Sequence, residues 1–295
     1  MLLLFEDMHW IDPTSLELLT RIVEQAGGIR LLLLATARPE FEAPWPNLRH
    51  VVNVTLNRLD RTEGQALVTG VSHGKALPSQ VLDQIMMHAD GVPLFIEELT
   101  KTVLESELLR ETTNRYELIG SLPPLAIPTT LHASLLARLV RLATGKSVAQ
   151  IGATIGRVFS YELIAAVSAL PEKDLKGALD QLIDAKLVFQ RGAPPDANYQ
   201  FKHALVQDAA HGTLLREPRR ALHARITSIL ESHFAEIAEN HPELLAHHCT
   251  EAGLIEKAAT LWGKAGQRSL ERSALFEAAQ QLGRALAQIA LLSAT

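Results

Sequence analysis

The chain has 295 residues, 47% of them hydrophobic and 21% charged, which is the make-up of an ordinary globular protein with room for two or more domains. A net charge of −5 with no basic block excludes a polyelectrolyte arm for nucleic acid, and a single cysteine, Cys249, excludes an internal disulfide and fits a reducing compartment. Met1–Phe5 is too short for a signal sequence, and no apolar stretch approaches the ~20 residues that cross a bilayer, so a cytoplasmic protein is expected.

The run Met1-Leu2-Leu3-Leu4-Phe5 reads as a strand buried on both faces, as in a parallel sheet covered by helices. It ends in Glu6 and Asp7. Parallel sheets hold their ligands beyond the carboxyl ends of their strands, so these acids stand where a ligand would lie. One of them could hold Mg²⁺ through hard oxygen atoms, and the other could orient or deprotonate an attacking water. Solvated acids after a strand are the plainer alternative. Asp12 and Pro13 open a helix that stops near Gly27-Gly28. Ile29–Ala35 is a second strand, and a strand–helix–strand unit of this length implies a right-handed parallel crossover. Thr36 and Arg38 then emerge at the same sheet edge as Glu6 and Asp7. A guanidinium there matches phosphate oxygens in two-pronged geometry, although a surface Arg after a strand explains the position equally well. His50–Leu56 alternates and reads as a third strand.

Helices follow from Asp60 to about Val71, from Pro78 to about Ala89, and from Pro93 to about Leu108. Between the last two lies a tight corner, in which Gly91 permits a left-handed cap and Pro93 starts the next helix. Leu109–Leu118 reads as a short hairpin, and Pro123-Pro124 with Pro128 marks a boundary before helices resume at Thr129. These are Thr130–Leu142, Val148–Ile155, Tyr161–Ala169 and Lys173–Lys186, followed by a β-hairpin formed by Leu187–Arg191 and Asn198–Lys202. Three helices and a hairpin describe a winged helix. Its presumed recognition helix, Glu172–Lys186, sets Lys173, Lys176 and Lys186 against Glu172, Asp174, Asp180 and Asp184, with no Arg to read guanine edges, which argues against DNA as partner. His203 stands at the next helix start, where free N–H groups favour an anion, or where a histidine simply caps. Beyond Glu217-Pro218 the chain reads as wholly helical: Arg219–Ile237, Pro242–Ala252, Ile255–Leu270 and Ser273–Leu292. Small residues (Ala258, Ala259, Ala265, Ala278, Ala279, Ala285) recur where helices must approach closely, as in an array of helix pairs. An array ending at Thr295 would leave its last helix uncapped.

Two clusters are decoys. Gly145-Lys146-Ser147 imitates the end of a phosphate-binding loop, but Val140 fills the slot of the first glycine and the lead-in is helical. His241, His247, His248 and Cys249 include zinc-ligand types, yet adjacent residues on a helix face different ways.

The run Leu2-Leu3-Leu4-Phe5-Glu6-Asp7-Met8-His9-Trp10-Ile11-Asp12-Pro13-Thr14-Ser15-Leu16-Glu17-Leu18-Leu19 resembles the Walker B segment of STAND-class signal-transduction ATPases, in the bacterial branch fused to nucleotide cyclases. Phe201-Lys202-His203-Ala204-Leu205-Val206-Gln207-Asp208-Ala209-Ala210 is similar to a second run of that class. The resemblance implies a mainly α fold with a partial α/β P-loop-type core at 1–57, a helical lid at 58–122, a winged helix at 126–215 and the start of a TPR-like array at 216–295. It implies ATP or ADP with Mg²⁺ as cofactors, Glu6 and Asp7 as catalytic and metal-holding acids, and Arg38 as a γ-phosphate sensor. By the same resemblance Gly91 and Pro93 lie against the base, and His203 lies against the β-phosphate of ADP. The implied function is an ATP/ADP switch that controls an output domain such as a cyclase or a transcription factor. No Gly-x-x-x-x-Gly-Lys-(Ser/Thr) occurs in the sequence. The chain therefore reads as the part of such a protein from Walker B onward. It is expected not to hydrolyse ATP appreciably alone and to bind MgATP poorly by itself, and it lacks as partners the N-terminal ATPase half and any cyclase domain. The alternatives are a non-catalytic helical scaffold that binds a protein partner through the array, and a winged-helix transcription regulator.

Overall fold

A computed structural model describes residues 1–45, 48–106, 108–120, 128 and 130–292. The expected boundary at Pro123-Pro124, the residue Thr129 and the chain end at Thr295 lie outside the described residues. The chain divides into two compact units, Met1–Leu56 with Phe234–Thr295, and Asn57–His233.

In the first unit, β1 (Leu2–Phe5) leads through a 3-10 turn at Met8–Trp10 into α1 (Pro13–Ala26), and β2 (Leu32–Ala35) returns parallel to β1 in the register Leu2↔Leu32 to Phe5↔Ala35. Asp12 caps α1 by accepting a hydrogen bond from the Ser15 amide at 2.8 Å, with Pro13 in the first turn. Phe5 and Leu33 pack with Met8, Leu19, Val23 and Trp45. Burial of both sheet faces, expected from the unbroken apolar run, is corrected here. Leu2, Leu4, Leu32 and Leu34 are 66%, 57%, 64% and 56% exposed, because α1 covers one face only. The expected third strand is also corrected. Val51–Leu56 joins no ladder among the described residues, with Val52, Val54 and Leu56 on the surface. Alternation sets which way side chains point, but a strand requires a neighbouring edge to exchange hydrogen bonds with.

The helical part of this unit comprises α11 (Ala235–Asn240), α12 (Pro242–Ala252), α13 (Ile255–Glu271) and α14 (Leu275–Leu292). Ala246, Cys249, Ala258, Trp262, Ala265 and Ala285 form its core, and a Cβ on Gly266 would meet Leu282 at 2.6 Å. The small residues thus set the helix spacing. His248 points into this core at 1% exposed, while His247 points outward. Burial, and the neighbouring His247, push the His248 pKa down from 6.5 to about 4. The folded state therefore holds the neutral ring, and the contribution of His248 to stability is fully present above pH 6.5 and is lost as the pH falls from 6.5 towards 4. The loss should be on the order of 3 kcal/mol. Melting curves of wild type and His248→Gln across this range should diverge in slope, and parallel slopes would refute the assignment.

In the second unit, α2 (Arg61–Val71), α3 (Ser79–Ala89) and α4 (Pro93–Leu104) form a first bundle around Val68, Val81, Ile85, Ile96 and Leu99. Asp60 and Glu63 close a capping box on α2. The antiparallel hairpin of β3 (Leu109–Glu111) and β4 (Tyr116–Leu118) follows.

Next come α5 (Leu131–Arg141), α6 (Thr144–Ile155), β5 (Val158–Ser160), α7 (Tyr161–Ser168), α8 (Glu172–Asp184), β6 (Val188–Arg191), β7 (Asn198–Phe201) and α9 (Ala204–Gly212). Here β7 is the central strand of an antiparallel sheet, between β5 and β6. The Phe159 ring stacks on Tyr199 at 5.7 Å and lies over Gly152, where any Cβ would meet it at 2.7 Å. This group is called the hairpin module below. The decoy triplet Gly145-Lys146-Ser147 is the first turn of α6. The final helix of the unit, α10 (Arg216–His233), packs on α6 and α7.

Candidate functional site

The parallel register of β1 and β2 brings their carboxyl ends together. The Thr36 amide donates to the Phe5 carbonyl at 2.9 Å, the Asp7 amide donates to Thr36 Oγ1 at 3.0 Å, and the Met8 amide donates to the Thr36 carbonyl at 2.8 Å. Glu6, Asp7 and Arg38 are exposed at this tip. Asp7 takes a left-handed backbone conformation, φ 58°, where the chain turns out of the strand into the 3-10 turn. The Arg38 guanidinium lies 5.8 Å from the centre of the Trp10 ring, which is itself 75% exposed. Both ring nitrogens of His9 are out of water with no hydrogen-bond partner. Sequence reasoning gave His9 and Trp10 no role, since a histidine and a tryptophan after two acids follow no period. Two exposed carboxylates and a guanidinium at one strand tip suit a metal-bound anion. Among the described residues no three His, Cys, Asp or Glu side chains gather as a metal-binding group.

Gly91 and Pro93 share one corner in the second unit. After α3, Asp90 and Gly91 both take positive φ, 48° and 70°, and Pro93 is the first residue of α4. The Leu59 amide donates to the Gly91 carbonyl at 2.8 Å, and a Cβ on Gly91 would stand 2.5 Å from the Leu59 carbonyl oxygen. Arg58 pairs with Asp90, and an open hollow of about 440 Å³ runs along this corner between Arg58–Arg61 and Met86–Gly91.

His203 is the residue before α9, makes no side-chain cap, and has its Nε2 buried without a partner. Burial first, and the Lys202 charge second, push its pKa down. Nearby, burial alone would raise the Glu97 carboxyl, but hydrogen bonds from Lys101 and Lys202 outweigh it and hold that group at about 2. The structure thus groups Glu6, Asp7 and Arg38 at one tip in the first unit, Gly91 and Pro93 at one corner in the second, and His203 at a helix start in the second.

No protein-family model matches the chain. A Rhizobium meliloti (strain 1021) protein described as uncharacterized protein R02095 is 32% identical over 286 residues, 95% of this chain and 27% of its own length. The chain therefore spans about a quarter of the length of that relative. Among solved structures, 96% of the chain superposes on 43% of the STAND protein with a tetratricopeptide repeat sensor, PH0952, from Pyrococcus horikoshii, with a TM-score of 0.53 at 13% identity. The fold is similar to that of the matched part of this STAND protein. It is mainly α-helical, with small sheets and an array of the TPR type, and no helix among the described residues is long and apolar enough to cross a membrane.

Proposed function

We propose that this STAND-like chain is the switch-and-sensor portion of a regulatory ATPase, with the α1-β sheet carrying the Walker B acids. The observation that carries the reading is the shared strand tip. Glu6 and Asp7 leave β1 where Thr36 and Arg38 leave β2, tied by the bond from the Asp7 amide to Thr36 Oγ1. A bound MgATP would supply the phosphoanhydride to be cleaved. The acids would hold the Mg²⁺ through hard oxygens and orient water, and Arg38 would face the γ-phosphate. The residues fit the metal better than the nucleotide, since no Gly-rich phosphate cradle with its lysine occurs in the sequence. That cradle would come from an α/β half covering the exposed leucine face of β1 and β2. In this reading the α2–α4 bundle is the lid, the Gly91–Pro93 corner sits by the base, and the hairpin module is a regulatory winged helix with His203 towards a phosphate. The output is a cyclase or a transcription factor. A protein partner docks on the array, where α12 and α14 flank a hollow of about 630 Å³ and Arg284 stacks over Trp262 at 4.7 Å. DNA suits the module poorly, because Lys176 on α8 is engaged by Glu172 at 2.6 Å and the helix carries four acids.

Titration of MgATP into the full chain is expected to show no micromolar binding, and a micromolar Kd would overturn the requirement for an external cradle. When this chain replaces the matching stretch of the longer Rhizobium meliloti protein, the hybrid is expected to bind MgATP. Asp7→Asn should then weaken binding at least tenfold. A hybrid that binds MgATP equally well with both Glu6→Gln and Asp7→Asn sinks the reading.

A further inference from the structure

The hollow of about 630 Å³ on the array is lined by α12, by α14 and by Trp262 of α13. The Trp262 ring is held in place from behind. It is 4% exposed and packs with Ala246, Cys249, Ala258 and Ala265. Its Nε1–H donates to Thr250 Oγ1 at 2.9 Å, and Thr250 Oγ1 donates in turn to the Ala246 carbonyl at 2.8 Å. The Arg284 guanidinium stands 4.7 Å from the centre of this ring. Attraction between the cation and the π-face fixes the end of a long side chain that would otherwise sample many rotamers. Arg284 is exposed, and among the described residues it has neither an ion pair nor a side-chain hydrogen bond. Its N–H donors are therefore left for whatever enters the hollow.

The acids that line the hollow do not neutralise this cation. Glu243 is engaged by His241, whose Nδ1 lies 3.1 Å from Glu243 Oε1. Glu277 is two turns back along α14, about 10 Å away by helix rise, and its Oε2 is shut off from water. Between Glu277 and Arg284, Gln280 and Gln281 line the hollow. Gln281 Oε1 accepts from Ser269 Oγ at 2.8 Å, which leaves its amide nitrogen to donate. Across from them α12 contributes Leu244 as apolar surface. The hollow thus offers a pre-set guanidinium, adjacent amides and an apolar wall. A guanidinium meets a carboxylate with two parallel N–H bonds, and side-chain amides pair with a peptide main chain. An exposed charge pair alone binds weakly, so a small free anion would not be held. A peptide fills the rest of the hollow and adds those contacts, and a cation already fixed by Trp262 costs less to order on binding.

We propose that this hollow takes an acidic peptide segment of a partner protein, with an aspartate or glutamate carboxylate clamped by Arg284 and the neighbouring main chain held by Gln280 and Gln281. The inference rests on the proposed reading of the array as a docking surface and adds the chemistry that docks there.

Selection from a phage library of random dodecapeptides on the immobilised full chain tests it. The wild-type chain is expected to enrich peptides that carry Asp or Glu. A synthetic copy of an enriched peptide is expected to bind Arg284→Gln at least tenfold more weakly. Changing that peptide's acid to the matching amide should cost as much against wild type and little more against Arg284→Gln. Selection repeated on Arg284→Glu should pass the enrichment to Lys and Arg. Enriched peptides no richer in acid than the library, or binding Arg284→Gln as well as wild type, would overturn the proposal while leaving the array a docking surface. A selection that enriches no peptide would overturn both. Sedimentation showing that Arg284 joins two copies of this chain would put a second copy in the hollow and overturn the peptide. None of these results bears on the strand tip, and failure of MgATP binding in the hybrid leaves the hollow untouched.

Discussion

Arg138→Ala is expected to destabilise the Asn57–His233 unit by about 3–5 kcal/mol in denaturant unfolding of the full chain, the usual cost of removing one partner of a buried ion pair, here Arg138 of α5 with Glu98 of α4, both side chains 2% exposed. The cause is less the lost attraction than what remains. Glu98 would keep its place at 1% exposed, with Lys101 at 3.2 Å as its remaining cation. The Ala185 carbonyl would also lose the guanidinium that satisfies it at the end of α8. Replacing both partners, by Glu98→Leu with Arg138→Met, removes the stranded charge and is expected to be neutral or to stabilise by about 1–4 kcal/mol. The pair of results is diagnostic. A single substitution costing less than about 1 kcal/mol would mean that water reaches Glu98 in the folded state.

The second large effect is expected at Gly91. Its φ of 70° costs any L-residue with a side chain about 1–2 kcal/mol. The Cβ added by Gly91→Ala would also press on the Leu59 carbonyl oxygen at 2.5 Å, and backbone cannot swing aside as a side chain can. Overpacking of this kind costs about 1–3 kcal/mol more. The bond from the Leu59 amide to the Gly91 carbonyl, which joins the start of α2 to the corner, would be the contact that yields. Thermal unfolding of Gly91→Ala should show a fall in Tm of at least 5 °C. A change under 1 °C would show that the corner relaxes freely and is not a fixed element of the first bundle. Asp90→Gly is the informative companion, since a glycine at φ 48° relieves strain while losing the ion pair with Arg58.

The sequence carried those features that depend on local chemistry. Asp12-Pro13 stated the start of α1, and Pro242 to Ala252 stated both ends of α12, because caps and first-turn prolines act within one turn. The parallel crossover followed from strand length and helix length alone. Ends without such signals moved by a few residues: α6 begins at Thr144, four residues before Val148, and the predicted Arg219–Ile237 helix is two, α10 and α11. The edge strand β5 was missed because three residues show no period; its place is set by pairing with β7, some forty residues later. The run at Val51–Leu56 failed the other way, alternating like a strand with no edge to join. At the candidate site, the Glu6-Asp7 position was legible as a strand end. The Arg38 contact with Trp10 was not, since it depends on how the two connections fold over one another. Glu98 and Arg138 are 40 residues apart, and no local signal in the sequence links them.

That pair also bears on descent. When two opposite charges are sealed together, neither side can drift alone, because every single step strands its counterpart in a dry place. Lineages that keep the glutamate should keep the arginine, and lineages that abandon one should have abandoned both, trading them for oily side chains.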